Sequence, residues 1–171
     1  DQSLIGASLP RLEIREKLTG RAQYTADLYR PGMLHGALVG SPHPHARIVG
    51  YDVRAARAAP GVRCVLTGED FGDHRMGAFI KDEHAIAKGK VRYVGEPVVA
   101  IAAETEAQAR AAALLVEVQY EELPAILTPE AALAPDAPLV HEDLASYFKV
   151  FEAVCGGNVC SKTELAEGDL E

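Results

Sequence analysis

The hydrophobic pattern is densest from Val98 to Ala103, six residues without a polar side chain. A strand with one wet face alternates polar and apolar positions, so this unbroken run predicts a strand covered on both faces. Pro97 has no N–H to give a ladder and fits the first position of that strand. Before it, Val91, Tyr93 and Val94 surround Arg92 and lead into a Gly95-Glu-Pro97 turn. After it, Thr105-Glu-Ala-Gln108 has capping-box spacing, which satisfies orphan amides at a helix start. Ala107, Ala111, Leu114 and Leu115 then recur as an apolar stripe of helical period. Val116-Glu-Val-Gln-Tyr120 alternates as a strand and closes at Glu121-Glu-Leu-Pro124. Strand, helix and strand within about thirty residues predict a compact α/β unit.

The first half carries a similar order. Residues 1–23 are mixed and polar, with Pro10 among them, and read as an extended arm. Pro31-Gly32 supplies turn chemistry ahead of a strand over residues 33–39. Ser41-Pro-His-Pro-His45 is extended, because a residue before proline avoids the helical region. Residues 46–53 form the next strand, with Asp52 placed to cap a short alanine-rich helix that Pro60-Gly61 stops. Residues 62–66 are a further strand. The order strand, short helix, strand over 47–66 is echoed by strand, longer helix, strand over 91–120, in architecture and not residue by residue.

Hydrophobic density drops over residues 68–90. Structureless loops longer than about 12–15 residues are usually functional or disordered. Phe71, Met76, Phe79 and Ile80 make this one too apolar for disorder. Near the end, Thr128-Pro129 opens a one-turn helix. Past Pro135 and Pro138 the pattern fades, and residues 141–171, with Cys155-Gly-Gly-Asn-Val-Cys160, read as a tail or linker.

Composition narrows the function classes. The 171 residues suffice for one domain, and 48% apolar residues suffice for a core built from alanine, valine and leucine, since aromatics are 6% and tryptophan is absent. A net charge of −8 argues against nucleic acid, which calls for a basic face. No apolar run reaches the roughly 20 residues that span a bilayer, and no signal-peptide pattern opens the chain. Three cysteines, Cys64, Cys155 and Cys160, are too few for a disulfide framework and point to a reducing cytoplasm. The first residue is Asp1 and not methionine, which leads us to expect a piece of something longer.

Candidate chemistry is sparse. His43 and His45 stand two apart in an extended segment and could serve as metal ligands, yet zinc sites take three or four protein ligands and no third is nearby. Cys155 and Cys160 lack a second cysteine pair for a structural zinc or a cluster. Asp82, Glu83 and His84 read either as an acid–base group or as a solvated charged run. Glu121-Glu122 marks a strand end. No phosphate-binding glycine loop or nucleophile elbow occurs. The expected catalytic, cofactor-binding and metal-ligating residues in this chain are therefore none.

Several motifs nonetheless stand together in order. They are Ile5-Gly6, Pro10-Arg11, Lys17-Leu-Thr-Gly20, Ala22, Tyr24 and Asp27; Pro31-Gly-Met-Leu-His35; Ser41-Pro-His-Pro-His-Ala-Arg-Ile48; and Pro60-Gly-Val62 with Thr67. Asp82-Glu83, Lys90-Val-Arg-Tyr-Val-Gly-Glu-Pro-Val98, Ala109-Arg110 and Val118-Gln-Tyr-Glu-Glu-Leu-Pro124 continue them. Over roughly residues 5–140 this resembles the opening of the molybdenum-binding large subunit of the xanthine dehydrogenase and aldehyde oxidase family, and Gly156-Gly-Asn158 and Gly168-Asp169 resemble the junction before its next domain.

The resemblance implies an α+β fold, the α/β hammerhead: a mixed sheet with helices on one side and a bent-over, barrel-like cap. It implies an extended arm over residues 1–18, the hammerhead over 19–134, and a linker over 135–171 toward a downstream molybdopterin-binding domain. It implies a part of a molybdenum hydroxylase, a cytoplasmic oxidoreductase acting on heterocycles or aldehydes, with molybdopterin-bound molybdenum elsewhere in the subunit. Iron–sulfur clusters and flavin would lie in partner domains or subunits. This piece alone would hold no cofactor and turn over no substrate. In the family, the segment matching Gly77 and Asp82-Glu83 runs toward the substrate channel, which makes Ala78, Phe79 and Ile80 the expected channel residues; the spacing is one residue longer here than in the animal enzymes. From the residues alone, Phe79 either grips a flat heterocycle or tucks the loop onto the sheet. Two other classes stay open: an autonomous ligand- or protein-binding module sharing the hammerhead, and a structural domain contacting a partner subunit.

Overall fold

The computed structural model describes residues 5–150, 156–162 and 164–168. Two compact units divide at Met33 and Leu34. In the first, α1 (Ile14–Leu18) interrupts the expected extended arm, and a Lys17–Glu13 pair at 3.7 Å spans one turn of it. A 3₁₀ turn follows at Thr25–Asp27, closed by the Tyr24 amide donating to the Asp27 carboxylate at 2.9 Å.

Among the described residues, the second unit holds six strands in two antiparallel sheets. The chain runs β1 (His35–Gly40), β2 (Ala46–Asp52), α2 (Arg54–Ala58), β3 (Val62–Thr67), β4 (Lys90–Val91), β5 (Pro97–Ala103), α3 (Glu106–Ala113), β6 (Glu117–Glu122) and α4 (Pro129–Ala132). One sheet has the order β1-β5-β3 and the other β4-β2-β6. The α+β hammerhead class stands, with two three-stranded antiparallel sheets in place of a single mixed sheet. Both strand–helix–strand units cross between sheets. β2 and β3 lie in different sheets, and so do β5 and β6.

The unbroken apolar run is central, as its sequence demands. β5 starts at Pro97 and pairs on both sides, Ile101 lying opposite Ala37 of β1 and Val65 of β3. Val98 and Val99 are fully buried, on opposite faces of the strand. Each buried valine contributes about 1.5–3 kcal/mol. With Ala46, Val53, Ala56, Val65, Ala87, Val91, Ile101 and Ala112 they form the core. The preceding turn packs tightly on β1. A side chain at Gly40 would meet the Gly95 backbone at 3.0 Å, and Gly95 itself has φ +88°. The Gly95 amide donates to the Ser41 carbonyl at 2.8 Å, and the Ser41 amide to that of Glu96 at 2.9 Å.

The caps form where the sequence places them. The Thr105 and Thr128 hydroxyls accept from the Gln108 and Ala131 amides, each at 3.2 Å. The Asp52 carboxylate takes the Arg54 amide at 3.1 Å, although the N-cap residue of α2 is Val53. Two apolar expectations differ. The stripe Ala107, Ala111, Leu114 and Leu115 is exposed, because α3 turns Ala109 and Ala112, small enough for close approach to the sheet, inward instead and ends at Ala113. Tyr93 and Val94 belong to the exposed turn after β4 and to no strand.

Candidate channel loop and its supports

The loop between β3 and β4 is a built structure. The Met76 amide donates to the Glu83 carbonyl at 2.7 Å and the Glu83 amide returns to Met76 at 3.1 Å, making a two-residue stem. Gly77 stands at φ +138°, with the Ile80 carbonyl oxygen 1.8 Å from where a Cβ would be, so the bend tolerates no side chain. The Lys81 ammonium donates to the Gly77 carbonyl at 2.5 Å across the bend.

The tip is paired in turn with a distant segment. The Lys81 amide donates to the Phe148 carbonyl and the Val150 amide to the Phe79 carbonyl, both at 2.9 Å, with Ile80 bridging Lys149 between them. At the stem, the Arg75 guanidinium lies 4.5 Å above the Tyr147 ring, and Tyr147 is buried. The stretch read as a tail thus returns to the loop at both tip and stem.

Two cavities flank the tip. The smaller, about 220 Å³, is lined by Ala78, Phe79 and Ile80 together with Asp82, Glu83 and Cys160. The larger, about 460 Å³, has a wall of Ile126, Leu127 and Leu144 with His141 on it, and again Asp82 and Cys160. Asp82 and Cys160 are therefore common to both. Asn158 fixes the far wall: its Oδ1 accepts from the Val140 amide at 2.9 Å, and its Nδ2 donates to Ala132 at 3.1 Å and Pro138 at 3.0 Å.

The electrostatics disfavour the charged form of two nearby histidines. Burial, and then the Arg75 charge, push the His84 pKa down, and its Nδ1 is buried without a hydrogen-bond partner. Burial and the Arg92 charge do the same to His141, against a smaller opposing pull from Asp82. The Glu96 carboxyl is pushed up by burial, although the Arg92 amide donates to it.

The structure separates most of the other sequence candidates. His45 Nδ1 sits 2.6 Å from the Pro124 carbonyl, while His43 faces Glu122 at 3.6 Å and the Tyr120 ring at 4.9 Å. Of Asp82, Glu83 and His84, Asp82 borders both of these cavities, Glu83 the smaller one, and His84 neither of them. Cys155 and Asp169 lie outside the described residues. Among the described residues no group of three or more His, Cys, Asp or Glu could hold a metal ion, and no helix is long and apolar enough to cross a membrane. Arg75, Tyr147 and Lys149 have no signal in the local pattern, since their partners lie across long sequence separations.

The fold and this loop can be set beside known proteins. The family model described as "Aldehyde oxidase and xanthine dehydrogenase, a/b hammerhead domain" matches residues 19–124. The chain belongs to this family. The chain is 39% identical over 158 residues to a probable xanthine dehydrogenase subunit of Bacillus subtilis, covering 92% of this chain and 20% of that protein. It is 38% identical over 144 residues to the nicotinate dehydrogenase large molybdopterin subunit of Eubacterium barkeri, covering 84% of this chain and 34% of that one. Among solved structures, quinoline 2-oxidoreductase from Pseudomonas putida 86 superposes with a TM-score of 0.70 at 42% identity, over 77% of this chain and 18% of that one. The chain thus spans between about a fifth and a third of the length of these curated relatives.

Proposed function

We propose that this hammerhead is a scaffold and channel-wall domain of a molybdenum hydroxylase large subunit, and that Ala78, Phe79 and Ile80 line the approach of substrate to the metal. The observation that carries the reading is the loop tip. Three apolar residues border one cavity on a bend that Gly77 and the paired segment hold in place. An aromatic face and an aliphatic neighbour suit a flat ring. The relatives named for nicotinate and quinoline favour an aromatic heterocycle as the substrate class.

Molybdopterin carries a phosphate and calls for cationic donors. The residues lining the two cavities include no arginine or lysine and do include the Asp82 and Glu83 carboxylates, so they do not fit that group. On this reading the cofactor is held by the rest of the subunit, and iron–sulfur and flavin units serve as electron partners. Residues 19–134 form the domain, after an arm over 1–18. Residues 135–171 run onward while returning a strand to the loop. The exposed free thiols of Cys64 and Cys160 support the cytoplasm as its compartment.

Phe79→Ala in the complete enzyme tests the reading. KM for the heterocycle should rise, or substrate preference change, with molybdenum content unaltered. Unchanged kinetics together with a marked loss of stability would make Phe79 a core residue and remove it from the channel.

A further inference from the structure

We propose that residues 144–150 are a strap that sets the position of the channel loop, and that Lys149 is its positioning residue; the proposal rests on the channel reading above. The strap is anchored first by burial. Leu144 and Tyr147 are 7% and 8% exposed, and the Arg75 guanidinium covers the Tyr147 ring. Between these anchors the chain makes a 3₁₀ turn at Leu144–Ser146, then extends and pairs with the loop tip.

Lys149 locks that change of direction. An ammonium has three donors and no acceptor. Here it faces three carbonyls, those of Leu144 at 3.0 Å, Ala145 at 3.2 Å and Tyr147 at 3.3 Å. The turn leaves these carbonyls at its C-terminal end, where a cation is favoured. Lys149 has no ion pair among the described residues, so its charge is committed to the turn.

The same residue is the one that bridges Ile80. Counting outward from that pair sets Phe79 opposite Val150 and Lys81 opposite Phe148, in accord with the two 2.9 Å bonds. Alternation puts Phe79 and Val150 on the face opposite Ile80 and Lys149. A turn that loosens by a fraction of an ångström at Lys149 therefore shifts Phe79 and Ile80 directly. Phe148 and Val150 are exposed and their backbones pair with the tip.

The test uses the complete enzyme with two substitutions. Lys149→Met keeps the aliphatic stem and removes the three donors; Lys149→Arg keeps charge and donors. Lys149→Met should raise KM several-fold or shift substrate preference in the direction of Phe79→Ala, at unaltered molybdenum content. In hydrogen exchange, the Lys81 and Val150 amides should lose protection. Lys149→Arg should restore both. Unchanged KM and unchanged protection in Lys149→Met would overturn the strap, and so would a loss of molybdenum with no KM shift. Failure of the channel reading has a different signature: Phe79→Ala without effect on KM, while Lys149→Met still loses protection at Lys81 and Val150.

Discussion

The Lys90 ammonium lies 2.6 Å from the Glu142 carboxylate, with the lysine side chain only 10% exposed and the glutamate 52 positions further along the chain. The Val140 carbonyl accepts from the same ammonium at 3.0 Å and from Arg92 Nε at 3.1 Å. Two cations beside β4 thus hold the segment that leads into the strap.

This pair sets an acid limit on stability. Burial alone would raise the Glu142 pKa, but the Lys90 hydrogen bonds and the Lys90 and Arg92 charges outweigh it and hold the carboxyl low. A carboxyl lowered on folding stabilises above its ordinary value of 4.5 and loses that contribution as pH falls through the folded value. Glu142→Gln should cost about 1.5–3 kcal/mol at neutral pH, toward the low end because the glutamate is half exposed. It should also flatten the acid limb of stability against pH. Urea denaturation at a series of pH values reads both.

His141 sets a second, milder limit. Its pKa is lowered by burial and by Arg92, so the unfolded chain takes up a proton that the folded chain refuses. Stability is then full above the ordinary value of 6.5 and falls as pH drops below it, levelling off at the folded pKa. His141→Gln should remove this component below pH 6.5, leaving a shallower melting-temperature profile.

The double coverage of β5 separates two substitutions of equal chemistry. Val99→Asp places an unpaired carboxylate at a fully buried site, at a cost of several kcal/mol against a typical domain stability of about 5–15 kcal/mol. Leu114→Asp, at an exposed position, should change stability by less than about 0.5 kcal/mol. Circular dichroism of the two proteins should show one unfolded and one native.

Gly77→Ala should disturb the proposed channel loop without disturbing the core. The new methyl would fall on the Ile80 carbonyl oxygen, and the backbone stands at φ +138°. Strain of about 1–3 kcal/mol would be relieved by moving the tip. KM should change and molybdenum content should not. A crystal structure with the tip in place would refute this.

The parts of the fold legible in the sequence are those encoded locally. Val98–Ala103 announces a doubly covered strand, and Thr105 and Thr128 announce helix starts through oxygen atoms three residues from their amides. Leu114 misleads because bulk marks the stripe of Ala107, Ala111 and Leu114 as the apolar face, while the close approach to the sheet selects the small Ala109 and Ala112 and the helix ends at Ala113. Sheet membership is not legible. A strand–helix–strand pattern carries no mark of whether its strands are neighbours, and here neither pair is. At the site, Ala78, Phe79 and Ile80 can be picked out by resemblance and by their apolarity in a polar loop. Their supports cannot: Tyr147 and Lys149 act across some 70 residues, and nothing near them in sequence points to Arg75 or Ile80.

The exchange of strands between sheets has a consequence for how the chain can be divided. One sheet draws on residues 35–40, 62–67 and 97–103, the other on 46–52, 90–91 and 117–122. A single backbone cut anywhere from residue 53 to residue 96 would therefore part hydrogen-bonded neighbours in both sheets at once. Neither half would own a finished sheet, so a nick in the loop that borders the cavities would leave two interdependent fragments, each needing the other to fold.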